Sequence, residues 1–239
     1  MPRFFISVPP ADTAVITGED AVHIGRSLRM RPGEQLTLCC LGTDYSCEIE
    51  SISSDEVRCR VLAFAPSETE PRLKLTLFQA LPKSDKMELI VQKAVELGVS
   101  RIVPVLTARC VSRPDAKSLE KKIARWQKIA LSAAQQSGRG LVPEVSGAVS
   151  FEECLALASE QERAFFCYER GGESLRSADL SETSTAALII GPEGGFEESE
   201  AQAAEKAGLT LTSLGKRILR CETAPLAAIA AVMLKSGDL

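Results

Sequence analysis

Two glycine-bearing loops, each leaving a short apolar run, constrain this chain more than any other feature. Ala187-Leu188-Ile189-Ile190 runs into Gly191-Pro192-Glu193-Gly194-Gly195-Phe196. Leu209-Thr210-Leu211-Thr212 runs into Ser213-Leu214-Gly215-Lys216-Arg217-Ile218-Leu219-Arg220-Cys221-Glu222-Thr223-Ala224-Pro225. Short apolar runs bounded by turn residues read as buried strands. In an open α/β sheet, loops at the carboxyl ends of strands form the ligand-binding edge. The pair predicts an α/β fold with a compact ligand at one sheet edge and charged groups beside it.

The preceding sequence supplies the remainder of such a sheet. Leu73–Leu81 reads as a strand, 84–97 as a helix with Ser84 as N-cap and Gly98 just beyond it, and Arg101–Val105 as the next strand. This βαβ order predicts parallel pairing. A helix at about 117–137 carries an apolar stripe of Leu119, Ile123, Trp126, Ala130 and Ala133, flanked by Lys117, Lys121, Arg125 and Lys128. Strands at Ala164–Tyr168, Ala186–Ile190 and Leu209–Thr212 and a helix at 197–207 follow. The last helix, 224–234, contains no charged residue, which predicts burial on all sides, including against a second subunit.

The first part of the chain has a different rhythm. Short alternating runs at Arg3–Ile6, Gln35–Cys39, Tyr45–Glu50 and Glu56–Leu62, separated by turn residues, predict a small barrel or sandwich. A short helix over 20–31 would carry His23, Arg26, Arg29 and Arg31. The polar, proline-bearing stretch Ala65–Pro71 reads as a linker, so domains are expected at 1–69 and 72–239.

Composition narrows the function classes. With 239 residues, 45% hydrophobic, the chain has a globular composition, and no apolar run nears the length of a membrane span. Eight cysteines without a C-x-x-C pair read as reduced, buried thiols of a cytoplasmic protein. A single histidine, His23, leaves little room for histidine-dependent triads, and the cysteine spacing argues against zinc. The net charge of −4 hides blocks of −5 (1–70), +9 (71–143) and −8 (144–239). A basic block in an acidic chain suits either a polyanionic partner or simply solvated helix faces.

The first loop lacks the Lys-Ser/Thr of a P-loop and does not spell G-x-G-x-x-G. Glu193, Glu197, Glu198 and Glu200 crowd it, and like charge would repel a di- or triphosphate. S-adenosylmethionine, with its cationic sulfonium, fits better; a tight strand-to-helix turn is the alternative. In the second loop, Lys216, Arg217 and Arg220 precede Glu222, with Thr223 as the expected N-cap and Pro225 in the first helical turn. Arginines there suit phosphate or base carbonyls, or else pair with Glu222 or Glu193.

At this point the sequence resembles the RsmE family of small-subunit ribosomal RNA uridine N3-methyltransferases, within the SPOUT methyltransferases. The resemblance runs along the whole chain. It is carried by Arg3-Phe4-Phe5, the segments around His23, Leu28-Arg29 and Gly33-Glu34, Lys83-Ser84-Asp85-Lys86-Met87-Glu88, Gln92–Val99, Gln135-Gln136-Ser137-Gly138-Arg139, and the two loops together. Two departures stand out: Ser132 where the family often has Glu, and Ser84 where Gly is frequent.

The resemblance implies a PUA-like β-barrel followed by a parallel-sheet SPOUT domain tied in a deep trefoil knot, and a homodimer. It implies S-adenosyl-L-methionine as cofactor, held by Ile190, Gly191, Pro192, Gly195, Ser213, Leu214, Gly215, Ile218 and Leu219. The substrate would be 16S rRNA or the small ribosomal subunit, with no metal and no membrane. Arg220, Glu222 and Arg139 are the candidate catalytic residues; Arg26, Arg29, Lys83, Lys86, Lys93 and Arg217 are the candidate RNA contacts. The alternatives are an RNA-binding or ribosome-assembly module that has lost catalysis, or a SPOUT enzyme acting on a different RNA nucleotide. Cys221 as a nucleophile toward the pyrimidine ring is a rival idea that N-methylation does not require.

Overall fold

The computed structural model describes every residue from Met1 to Leu239 and divides into two compact units. The first comprises Met1–Glu70 with Ala134–Leu141, and the second Pro71–Ala133 with Val142–Leu239.

The first unit is built from β1 (Arg3–Phe5), β2 (Thr13–Thr17), a short helix α1 (Gly18–Val22) continued by a π-turn over His23–Ser27, β3 (Gln35–Cys40), β4 (Thr43–Ile52) and β5 (Glu56–Pro66). Strand order is β1-β3-β4-β5-β2, with β1 and β3 parallel and the other neighbours antiparallel. The end strands β1 and β2 do not pair, so the sheet curls into a half-barrel where the sequence predicts a small barrel. Alternation aims Ala14 and Ile16 of β2 inward to join Phe4, Ile24, Leu36, Leu38, Ile49 and Val57 in one core. The predicted helix over 20–31 is shorter in the structure because Arg29 adopts a left-handed φ of 53°.

The second unit begins with β6 (Lys74–Ala80), α2 (Lys86–Glu96), β7 (Arg101–Leu106) and α3 (Ala116–Ser137), whose last turn belongs to the first unit. Then come β8 (Glu144–Val145), β9 (Val149–Ser150), α4 (Phe151–Ser159), β10 (Arg163–Cys167), β11 (Glu173–Ser174) and β12 (Thr185–Ile190). The chain ends with α5 (Glu198–Lys206), β13 (Thr210–Ser213) and α6 (Thr223–Ser236). All the pairings are parallel, in the order β11-β13-β10-β12-β6-β7-β8, with β9 also on β7. Parallel strands are covered on both faces. Accordingly, Ala186–Ile190 of β12 is buried residue after residue.

The first strand of this unit lies in the middle of its sheet. From β6 the chain moves to β7 on one side and later returns to β12 on the other. Such a reversal opens a crevice at the carboxyl ends of the strands. Beneath it Phe166 and Phe196 pack with centroids 4.2 Å apart, among Phe78, Val105, Ala187 and Ile189.

Three local expectations change. Ser84 is not the cap of α2: it has φ 57°, a left-handed backbone that favours glycine, and Asp85 takes the N-cap position. Glu222, not Thr223, is the N-cap of α6. In the single chain α6 is buried along only one face, through Pro225, Ala228, Ile229, Val232 and Met233. Its other face leaves Ala227 exposed and Leu234 66% exposed.

Candidate active-site cleft

The carboxyl ends of β10, β12 and β13 open on a cleft of about 740 Å³. Three loops line it, 167–170, 190–196 and 212–221, together with Arg109 and Ala224. That volume is in the range of small-molecule and cofactor sites.

The loop after β12 is held from below and from both sides. Phe196 is fully buried, and its ring lies 3.0 Å from where a Cβ on Gly191 would fall, so the loop closes only over a bare backbone at that position. Gly195 has φ 65°, and a Cβ there would meet the Glu169 carboxylate. Arg109 donates to the Gly194 carbonyl at 2.9 Å, and fully buried Gln79 reaches the Gly191 carbonyl at 3.5 Å. Pro192 accepts from the Gly195 N–H at 3.0 Å, closing a tight turn.

Every residue expected at the cofactor lines this cleft: Ile190, Gly191, Pro192, Gly195, Ser213, Leu214, Gly215, Ile218 and Leu219. Arg217 and Arg220 line it too, exposed and without a protein partner for either guanidinium. Glu222 lies between the lining residues Cys221 and Ala224 and is not itself among them. It pairs with Lys86 at 3.1 Å and accepts from the Cys221 thiol at 3.2 Å; no contact joins it to Arg220. The Cys221 hydrogen bond, helped by backbone N–H and Lys86, keeps this carboxyl below its ordinary range.

Of the four glutamates expected to repel phosphates, only Glu193 lines the cleft, and Glu198 is exposed outside it. Glu200 is buried: one carboxylate oxygen accepts from the Ala108 N–H at 2.9 Å, the other from the Glu197 N–H at 2.8 Å. Glu197 answers by capping the same helix turn, and Glu193 is paired with Lys86 at 3.1 Å. The lining therefore holds Arg109, Arg170, Lys216, Arg217 and Arg220 against Glu169 and Glu193. Its sign suits an anion.

Arg139 is elsewhere. Its Nε and Nη2 donate to the two Glu70 oxygens at 2.9 and 2.7 Å, its carbonyl accepts from Arg3, and it is 3% exposed. Glu70 also accepts the Gly140 and Leu141 N–H groups. A buried guanidinium needs such a partner. In this chain Arg139 staples residues 138–141 into the first unit and is not among the residues that line the cleft.

The expected RNA contacts divide. Arg26, Arg29, Lys83 and Arg217 are exposed. Lys86 and Lys93 are engaged: Lys86 with Glu193 and Glu222, Lys93 with Glu96 at 2.8 Å. Arg109 and residues 167–170 are lining residues that the sequence reading missed. A signal existed, since the predicted strand 164–168 also runs into a glycine-bearing turn, Glu169-Arg170-Gly171-Gly172.

Cys221 is buried, and burial with the Glu222 hydrogen bond pushes its thiol up to about 12. A thiol so far from ionisation is a poor nucleophile. No group of three or more His, Cys, Asp or Glu side chains is arranged to hold a metal, and no helix is long and apolar enough to cross a membrane.

Comparison with known proteins places the whole chain. Residues 69–233 match the RNA methyltransferase domain, and residues 16–62 the RNA methyltransferase PUA domain. Ribosomal RNA small subunit methyltransferase E of Bacillus subtilis is 38% identical, over 97% of this chain and 96% of its own length. The Mycobacterium tuberculosis protein of the same name is 33% identical, over 96% and 90%. A crystal structure of ribosomal RNA small subunit methyltransferase E from Neisseria gonorrhoeae, bound to S-adenosyl methionine, superposes with a TM-score of 0.88 at 34% identity, covering 98% of this chain and 97% of that one.

Proposed function

Because the chain belongs to the ribosomal RNA small subunit methyltransferase E family, we propose that it transfers a methyl group from S-adenosylmethionine to N3 of one uridine in 16S rRNA. The observation that carries this reading is the single cleft into which both glycine loops and two unpaired arginines open.

The residues present fit the cofactor. Gly191 and Gly195 keep one wall bare where a side chain would collide with Phe196 or Glu169, and nothing lies within 4 Å of the Cβ that Gly215 lacks on the facing loop. Ile190, Pro192, Leu214, Ile218 and Leu219 supply apolar walls, and Gly191, Gly195, Ser213 and Gly215 line the same cleft. When bound, the cofactor supplies an electrophilic methyl group on a sulfonium.

N3 of uracil carries a weakly acidic proton and is nucleophilic only after losing it. Arg220, with its guanidinium unpaired at the cleft, stabilises the negative charge that develops on a uracil carbonyl. Glu222, a carboxylate at neutral pH, is assigned the role of receiving the N3 proton or aligning the groups around it. Positioning in the cleft supplies the remainder. RNA is held by Arg26, Arg29, Lys83 and Arg217, with the exposed Lys117, Lys121 and Lys128 on α3 as further cations.

A homodimer belongs to the same proposal, supported by the uncovered apolar face of α6. So does a deep trefoil knot in the second unit, which rests on family membership. Free cysteines throughout accord with a reducing, cytoplasmic setting.

Thermal stabilisation by S-adenosylmethionine or S-adenosylhomocysteine, against NAD and ATP as controls, tests the cofactor. Methyl transfer to a 16S rRNA fragment tests the roles: Arg220→Ala is expected to lose about 100-fold or more. Unchanged rates in both Arg220→Ala and Glu222→Gln would remove the catalytic assignment.

A further inference from the structure

We infer that Lys86 is a positioning residue that ties the glycine loop to the catalytic strip. Its ammonium stands 3.1 Å from Glu193 Oε1 and 3.1 Å from Glu222 Oε2. The Cys221 Sγ lies 3.6 Å away. An ammonium has three N–H donors, and here each has an acceptor. Glu193 belongs to the loop after β12, Glu222 is the N-cap of α6, and Lys86 opens α2, so one cation joins three separate segments. Glu193 is anchored a second time, accepting the Lys83 N–H at 3.1 Å.

Electrostatics explain why the position needs a cation. Two carboxylates held around one point repel each other, and all three side chains are only about a third exposed or less, so water screens them incompletely. Burial would raise the Glu193 carboxyl, but its own backbone N–H and Lys86 outweigh that and lower it; the Cys221 hydrogen bond and its backbone N–H lower Glu222, and Lys86 adds to them. Without Lys86 the two loops would part at the cleft rim, shifting Arg220 and the backbone of residues 191–195 relative to each other. The same pairing leaves Lys86 with no donor for an RNA phosphate.

The inference rests on the methyl-transfer reading for its consequence, while its geometry can be tested without it. Hydrogen exchange on the ligand-free protein reads the tie itself: Lys86→Met is expected to raise exchange about tenfold in both 191–195 and 213–222, and Lys86→Arg to restore most of the protection. Adding Glu193→Gln to Lys86→Met is expected to recover part of it by removing the repulsion. In function, Lys86→Met is expected to lower S-adenosylhomocysteine affinity and single-turnover methyl transfer about tenfold each. The salt dependence of rRNA binding should stay unchanged. Unaltered exchange in both loops, or a salt slope lower by about one with unaltered turnover, overturns the inference. A wild-type protein that neither binds S-adenosylhomocysteine nor transfers methyl overturns the proposed function instead, and the exchange result stands apart from it.

Discussion

Gly195 and Glu169 approach so closely that the Cβ missing from Gly195 would overlap the Glu169 carboxylate. The strands β12 and β10 already pair, and the loops beyond their ends approach this closely only because Gly195 has no side chain. Gly195 also has φ 65°, where an L-residue is strained by about 1–2 kcal/mol. Gly195→Ala is expected to lower Tm by roughly 3–6 °C. Removing the carboxylate as well, in Gly195→Ala/Glu169→Ala, should relieve the collision but leave the backbone strain. Calorimetry on the four-member cycle checks this, and strict additivity would show that the two residues do not meet.

The Arg139–Glu70 pair predicts a stability effect. Breaking a buried pair from one side typically costs about 3–5 kcal/mol, so Arg139→Ala should fall sharply in urea midpoint. Burial by itself would raise the Glu70 carboxyl, but the Arg139 hydrogen bond and the Gly140 and Leu141 N–H groups outweigh it and hold the group below its ordinary 4.5. Its contribution is therefore complete above about pH 4.5 and is lost as pH falls through the lower folded value. Urea titrations between pH 3 and 7 should show wild type losing stability on the acid side and Glu70→Gln losing less.

Cys221 is expected to be dispensable for the chemistry. Cys221→Ala should retain methyl transfer within about threefold, the loss coming from a slightly less well-held Glu222. With the thiol pushed up to about 12, iodoacetamide at pH 8 should label Cys221 far more slowly in the folded chain than after denaturation. Abolished transfer in Cys221→Ala would return the nucleophile to consideration.

Leu234 tests the oligomer. It is 66% exposed in one chain, on a helix whose residues 224–234 include no charge. If this face packs against a second copy, Leu234→Asp should bring the light-scattering mass down to the 25.7 kDa of one chain. A wild-type mass already at that value would dismiss the homodimer.

Much of the architecture was legible because it depends on local periodicity. β6, α2, β7, α3, β10, β12, α5, β13 and α6 all lie within a few residues of where apolar spacing and turn residues put them. The elements passed over had weaker patterns or overlooked ones. β2 is a five-residue alternation, β8, β9 and β11 are two residues each, and α4 begins with a Ser150–Glu153 capping box that the sequence displays openly.

The cleft is where local and tertiary information part company. From residue types and their order alone came the two glycine loops, the arginines of the second loop, and a ligand edge at the ends of parallel strands. What each charge does there was decided by partners distant along the chain. Glu200 turns inward to Ala108, 92 residues away, Lys86 joins Glu193 and Glu222, and Arg139 is drawn to Glu70. Charge is a property of a residue, but whether that charge is free, paired or buried is a property of its neighbours. Hence the sequence by itself determined where the site lies and which groups it holds, and only the tertiary structure separated the free arginines from the paired ones.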